Sequence, residues 1–420
     1  MIVHHVFDNG LGLLTESMPD VRSVCLGAWL KRGSRHEGDA NAGIAHFTEH
    51  MLFKGTATRT AEDIAQQVDS IGGQLDAFTA KECASYYIKV LDEHLPRAID
   101  LVADLLLRPA FHADDIVREK KVIVEEIKMV EDMPDDLVHE LFAQSYWPDH
   151  PLGRSILGSP ASVNEMAPGS LRAFFDDAYV AGNLVITAAG NLQHTAVRDL
   201  IGEAFASLPV RASAIDERPP TPRPGLVVRR KDIEQSHLCL GTDGYAQTHD
   251  DRYASYVLNT VLGSSMSSRL FQTIREKRGL AYAVSSSLEA YRDVGTLTIY
   301  AGCDAAVVPE IVDLVVAELR SLRHQPVPDD ELQRAKDHLK GNLVLGLEST
   351  ASRMSQLARS EIYFGRQIDL AENLARLDRV TADDVQRVAT DLFSNGDLAA
   401  TVLGPDNSQV VSADQLDLGS

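Results

Sequence analysis

Cysteine is scarce in this sequence, and positive charge is in short supply. Four cysteines (Cys25, Cys83, Cys239, Cys303) stand far apart in apolar surroundings with no Cys-x-x-Cys pair. They read as buried free thiols in a reducing compartment. Lysine and arginine number 40 against 61 aspartates and glutamates, a formal charge of −21, which argues against a nucleic-acid partner. So acidic a chain would attract cationic peptides, although acidity also serves solubility alone and does not locate the charges. No apolar run approaches the ~18–20 residues needed to span a bilayer, so no membrane partner is expected. Met1 to Pro19 holds Asp8, Asn9 and Glu16 and is not Arg-rich; it has neither the basic-then-apolar order of a signal peptide nor the character of a transit peptide. The expected location is cytoplasmic. Asp8-Asn9-Gly10 between Val3–Phe7 and Leu11–Thr15 predicts a hairpin turn instead.

What is present is a soluble globular composition, 44% hydrophobic and 24% charged over 420 residues, long enough for two or more domains. The most informative stretch is His46-Phe47-Thr48-Glu49-His50. Histidines four apart lie one turn from each other on one helix face, so both imidazoles can close on a single metal ion. Glu49 lies in the same turn and can reach a water there without being a ligand. The order His-x-x-Glu-His reverses that of the commoner zinc proteases and is the signature of the inverted zincins.

A hydrolytic zinc site needs a third protein ligand and an open fourth position. Asp114 to Val130 reads as one amphipathic helix, with apolar residues at 116, 117, 123, 124, 127 and 130 in helical spacing. Glu119 and Glu126 are two turns apart and share a face. Two carboxylates beside an apolar stripe fit a ligand with a supporting partner, although a single glutamate on a helix is usually solvated charge.

These residues resemble a known family. His46-x-x-Glu49-His50, flanked by Gly43-Ile44-Ala45 and Met51-Leu52-Phe53-Lys54-Gly55-Thr56, is followed by Glu126 within Val122-Ile123-Val124-Glu125-Glu126-Ile127. The pattern resembles the pitrilysin/insulinase group of zinc peptidases, most closely the short-chain branch that contains the mitochondrial processing peptidase and its bacterial relatives. The resemblance implies His46, His50 and Glu126 as ligands of one zinc per chain, Glu49 as the general base, and Glu119 as the carboxylate supporting the site. It also implies that Arg275 and Tyr282, in Arg275-Glu276-Lys277-Arg278-Gly279-Leu280-Ala281-Tyr282, match an Arg/Tyr pair that contacts the substrate backbone. On their own, Arg275 reads equally as a helix-end salt-bridge residue and Tyr282 as strand core. Gly72-Gly73 followed by alternating residues suits an edge strand that binds a peptide by adding it as a further strand. Ala77, Phe78 and Thr79 would contact substrate there, with Asp76 where the family more often has Asn. Asp136 and Glu140, after Pro134, fall where processing peptidases hold a substrate arginine, with the two acid types exchanged.

The chain also reads as a tandem duplication. Leu208 to Gly225, with Pro209, Pro219, Pro220, Pro222 and Pro224, is the linker candidate. It gives a zinc-bearing domain over 1–208, a linker over 209–225 and a homologous second domain over 226–420. Val24-Cys25-Leu26-Gly27 is echoed by Leu238-Cys239-Leu240-Gly241, and Asp114-Asp115 by Asp329-Asp330, at nearly one offset. Carried onto the zinc motif, that offset reaches Thr260, Gly263, Ser264 and Gly341, none of which replaces a zinc ligand here. Each half reads as strand, two helices, paired strands, then helices, an α+β pattern; the resemblance implies two tandem antiparallel-rich sheets with helices packed on one face. The expected function is a zinc endopeptidase for short or unfolded peptides in an enclosed chamber. A homodimer is expected, because one chain carries both the zinc motif and the Arg/Tyr pair. The alternative is a non-catalytic structural or binding subunit of the same family, against which the intact ligand set argues.

Overall fold

Turn chemistry sets the first two strands. Gly10 adopts the left-handed φ of 89° that a side chain would resist, and Asn9 Oδ1 accepts from the Leu11 amide at 3.0 Å. β1 (Ile2–Val6) and β2 (Gly12–Ser17) therefore pair antiparallel, as the hairpin expectation had it. The computed structural model describes residues 2–211, 218–394, 396, 398–406 and 411–419, so the centre of the expected linker, 212–217, lies outside the described residues. The chain divides into two compact units. One comprises Met1–Met129, Ser155–Arg218 and Gly346–Gln367; the other comprises Val130–Arg154, Pro219–Leu345 and Ile368–Ser420.

In the first unit β3 (Ser23–Leu30), β4 (Gln74–Thr79), β5 (Ala84–Leu91) and β6 (Leu184–Gly190) complete a six-stranded sheet of order β1-β2-β6-β3-β5-β4. Only β2 and β6 run parallel. β4 is an edge strand, as Gly72-Gly73 suggested. Four helices run up to the first chain exchange: α1 (Ile44–Leu52), α2 (Ala61–Ser70), α3 (Leu95–Leu107) and α4 (Ala113–Asp132), within whose last turn the exchange falls. Val24, Leu26, Ala28 and Leu30 of β3 face a core built with Ile99, Leu101 and Leu105 of α3. The alternate residues Cys25 and Trp29 face Met354, Ala358 and Ile362 of the helix Thr350–Phe364. Because both faces are covered, β3 reads as a continuous apolar run instead of alternating.

The second unit repeats the plan. α5 (Pro134–Tyr146) belongs to it, with β7 (Leu226–Arg230), β8 (Ser236–Gly244), β9 (Ala281–Ala290), β10 (Gly295–Cys303) and β11 (Ala399–Gly404) in the order β7-β11-β8-β10-β9. Again one pair, β7 with β11, is parallel and the rest antiparallel. β2-β6-β3-β5-β4 and β7-β11-β8-β10-β9 thus share one connectivity, and the fold is α+β, two repeats of an antiparallel-rich sheet. The helices Arg252–Leu262, Val308–His324 and Ala382–Phe393 build the core on one face. Leu137, Val138 and Phe142 of α5 cover the other, against Cys239 and Leu403.

The echoed Cys-Leu-Gly motif now has a physical reason. A Cβ on Gly27 would lie 2.3 Å from Met354 Sδ and 2.8 Å from Trp29 Nε1; one on Gly241 would lie 2.4 Å from Phe142 Cζ. In both units glycine lets a covering helix sit close on the second face. All four cysteines are free and buried, as read from their spacing. Burial pushes the thiols up, to about 12 for Cys25, about 11 for Cys83 and about 12 for Cys303, so they are unreactive at neutral pH. Among the described residues no helix is long and apolar enough to cross a membrane.

Candidate active site

α1 begins at Gly43, whose φ of 93° and proximity to Leu157 (a Cβ would lie 2.6 Å from its carbonyl oxygen) leave room for no side chain. The buried carboxylate of Glu37 accepts from the Gly43 amide at 2.8 Å and the Ala45 amide at 2.7 Å. It thereby satisfies orphan donors at the positive end of the helix. Local sequence gave no sign of this cap, because Glu37 lies outside the usual N-cap position.

Ile44, Phe47 and Met51 of α1 pack with Ile116 and Ile123 of α4. This seam sets the two helices together and brings their polar residues to one place. His46 Nε2 and His50 Nε2 each lie 3.6 Å from the same oxygen, Glu126 Oε2, and the imidazole centroids are 4.5 Å apart. Three donors around a tetrahedral zinc with bonds of ~2.0–2.1 Å stand ~3.3–3.4 Å from one another; the two His–Glu126 distances are close to that spacing, and all three donor atoms lie within 4.8 Å of one another. Among the described residues, this is the one group of three or more histidine, cysteine or carboxylate side chains that converges in this way. Burial, followed by the neighbouring His50, lowers the pKa of His46 to about 3. The ring is therefore neutral, as a metal ligand must be.

Glu119 behaves differently from Glu126. Its buried carboxylate lies 3.1 Å from His50 Nδ1 and 2.8 Å from Lys54 Nζ. It therefore fixes the His50 ring with Nε2 toward Glu126, while Lys54 balances its charge. His46 has no such support: its Nδ1 is buried without a hydrogen-bond partner. The role of Lys54 went unread in the sequence, where it is one lysine among many.

Glu49 sits in the same turn and is not part of the donor triangle. Burial raises its pKa; a hydrogen bond from Thr79 and the charge of His50 oppose that shift, and Glu126 and Asp76 add to it. A carboxylate with raised basicity beside a candidate metal centre suits proton transfer. A cavity of 280 Å³ opens here, lined by Glu49, His50, Phe53, Lys54, Leu75, Asp76 and Ala77. The edge strand β4 thus borders the space next to Glu49. Phe78 is on its other face, edge-on to Trp29 at 5.6 Å, and Asp76 accepts from the Tyr87 hydroxyl at 3.0 Å.

The remaining expected residues belong to the second unit. Arg275 lies in the Phe271–Lys277 segment, a wide π-type turn of a kind frequent at functional sites. Its guanidinium stacks 4.8 Å from the Phe271 ring and 5.1 Å from the Tyr282 ring. Tyr282, on the edge strand β9, is 79% exposed; it is not strand core. Asp136 and Glu140 lie on α5, Asp136 exposed and Glu140 partly buried.

Two family profiles match the chain: Insulinase (Peptidase family M16) over residues 13–160 and Peptidase M16 inactive domain over residues 166–339. An uncharacterized zinc protease of Bacillus subtilis, YmxG, is 40% identical over 96% of this chain and 98% of its own length. The chain belongs to peptidase family M16. An uncharacterized zinc protease of Mycobacterium bovis is 42% identical, covering 95% of this chain and 92% of its own. A solved M16 inactive-domain structure from Pseudomonas fluorescens shares the fold with a TM-score of 0.90 at 23% identity, over 98% of this chain and 99% of that one. A protease from Helicobacter pylori does so at 0.88 and 23%, over 96% and 100%. Carried by the offset of the echoed motifs, the metal-motif positions fall on Thr260, Gly263 and Ser264, inside the stretch matched by the inactive-domain profile, and on Gly341, just beyond it.

Proposed function

We propose that this protein is a zinc-dependent endopeptidase that cleaves short or unfolded peptides within an enclosed chamber, with one zinc per chain held by His46, His50 and Glu126. The observation that carries the reading is the convergence of both His Nε2 atoms on Glu126 Oε2, with Glu49 in the same helical turn. When bound, zinc supplies a Lewis acid that acidifies a water and polarises the scissile carbonyl. Glu49 takes a proton from the attacking water and later delivers it to the leaving amine as the C–N bond breaks. Glu119, braced by Lys54, keeps His50 in the ligating tautomer. Substrate adds along β4 by backbone hydrogen bonds, with Ala77, Phe78 and Thr79 alongside it. Arg275 and Tyr282 hold the substrate backbone from a second copy of the chain in a homodimer, and Asp136 and Glu140 favour basic residues in the substrate. The curated M16 relatives named as zinc proteases support the chemistry. A non-catalytic subunit would have no use for a base beside three converging donors.

Metal analysis combined with a peptide-library digest tests this. The expected result is about one zinc per chain, with cleavage abolished by a chelator and restored by added zinc. Protein purified without chelators that carries no tightly bound metal, and whose cleavage zinc does not stimulate, overturns the assignment.

A further inference from the structure

The alternation of β4 turns Leu75, Ala77 and Thr79 to one face and Asp76 and Phe78 to the other. Leu75 and Ala77 pack against the core that includes Leu52 of α1, and at the strand's end the Thr79 hydroxyl donates to Glu49 Oε2. The backbone beneath that hydroxyl is fixed from two directions. The Ala80 amide donates to the Cys83 carbonyl at 2.8 Å, closing the turn to β5. The Ser34 and Arg35 amides donate to the Ala80 and Lys81 carbonyls at 3.1 and 2.7 Å. Arg35 and Glu82 then form an ion pair of 2.7 Å whose side chains are 2% and 4% exposed. The approach depends on glycine, since a Cβ on Gly33 would lie 2.1 Å from the Ala80 carbonyl oxygen.

We propose that Thr79 is a positioning residue for Glu49, so that the edge strand receiving the peptide also sets the orientation of the base. This rests on the peptidase reading above. A glutamate has three side-chain torsions, and its terminal torsion is soft. A donor on one carboxylate oxygen selects the carboxyl plane and leaves the other oxygen for the water proton. Since the donor belongs to the strand that pairs with substrate, base and scissile bond share one rigid reference, which is the condition for a near-attack geometry.

The test compares Thr79→Val, which keeps the shape without the hydroxyl, with Thr79→Ser, which keeps the hydroxyl. The probe is an internally quenched peptide taken from the library digest. For Thr79→Val the expected outcome is an ~10-fold or greater fall in kcat with KM within ~2-fold and zinc content and thermal midpoint unchanged. Thr79→Ser should recover most of kcat. In the Glu49→Gln background, Thr79→Val should add no further loss, because the group it orients is already disabled, and affinity for the uncleaved peptide should not change, because the peptide pairs with the β4 backbone while the Thr79 hydroxyl is turned to residue 49. Wild-type kcat in Thr79→Val, a rise in KM alone, weaker peptide binding in the Glu49→Gln background, or multiplicative losses overturn the positioning role. Wild-type turnover in zinc-loaded Glu49→Gln overturns the base assignment instead, so the two failures are distinguishable.

Discussion

Glu49 is the side chain whose loss should cost the most turnover for the least structural change. Glu49→Gln preserves shape and leaves the donor triangle intact, so zinc should stay bound while turnover falls by ~10²-fold or more; near-normal turnover in metal-loaded protein would show the role to be misassigned. Glu119→Gln should act on the metal itself, weakening zinc affinity ~10–100-fold in a chelator competition because the acceptor for His50 Nδ1 loses its charge. A third residue bears on stability alone. Asp104 is fully buried and accepts from Thr56 and Arg59 at 2.6 Å each, Thr58 at 2.9 Å and Arg108 at 2.6 Å. Burial pushes its carboxyl up, but these hydrogen bonds together hold it below the ordinary carboxylate range. The stabilisation it confers is therefore present above the unfolded carboxylate pKa of ~3.9 and is lost as pH falls through the lower folded value. Asp104→Asn should lower stability by ~3 kcal/mol at neutral pH, and a denaturant midpoint measured there and near pH 3 should show the gap to wild type narrowing in acid.

At the scale of elements, the glycines of the echoed motif are the revealing positions. Gly27→Ala should destabilise by ~1–3 kcal/mol through overpacking, and Met354→Ala should relieve part of that loss, so the double mutant should be more stable than the sum of the singles; strict additivity in chemical denaturation would mean the covering helix had moved away at no cost. The same positions show how much could be read from sequence. The His46–Glu49–His50 turn, the α4 helix, the hairpin around Asn9-Gly10 and the edge position of β4 were legible because each is written in local spacing or turn chemistry. The repeat was legible as an echo, but its reason was not: nothing near Gly27 names Met354, and nothing near Gly241 names Phe142. Glu37 capping α1, Lys54 bracing Glu119 and Thr79 reaching Glu49 escaped for the same reason. Each is a long-range or irregular hydrogen bond made by a residue type common on any surface. Tyr282, readable as strand core from its pattern, lies instead on an exposed edge.

At the scale of the whole molecule, the duplicated halves divide the proposed chemistry between them. If each site in a homodimer combines His46, Glu49, His50 and Glu126 of one chain with Arg275 and Tyr282 of the other, two crippled chains can complement each other. Glu49→Gln chains mixed with Arg275→Ala/Tyr282→Phe chains place both defects in one site and leave the other wild type. Activity should reappear on subunit exchange; mixed dimers that form without any recovery would reject the shared site. The acidic balance gives a second expectation, that a preference for basic peptides weakens as salt screens exposed charge over a Debye length of ~8–10 Å. A digest with no basic enrichment, and no response to Asp136→Asn with Glu140→Gln, would reject it.

The helix Thr350–Phe364 has a consequence in time. It covers Cys25 and Trp29 on the sheet of the first unit, yet a ribosome delivers it only after most of the second half has been made. A nascent chain that has reached Leu208 holds the metal motif complete but leaves that apolar face without its cover. The unit that holds the metal motif therefore completes its packing late, because its last segment, Gly346–Gln367, follows most of the second unit in the chain. A fragment ending at Leu208 should bind a hydrophobic dye and resist protease poorly, and supplying residues 346–367 as a separate peptide should reduce both in part, the remainder coming from α5, whose partners Cys239 and Leu403 are missing. Synthesis order in this way postpones the finished packing of the first unit until residues 350–364 have been made.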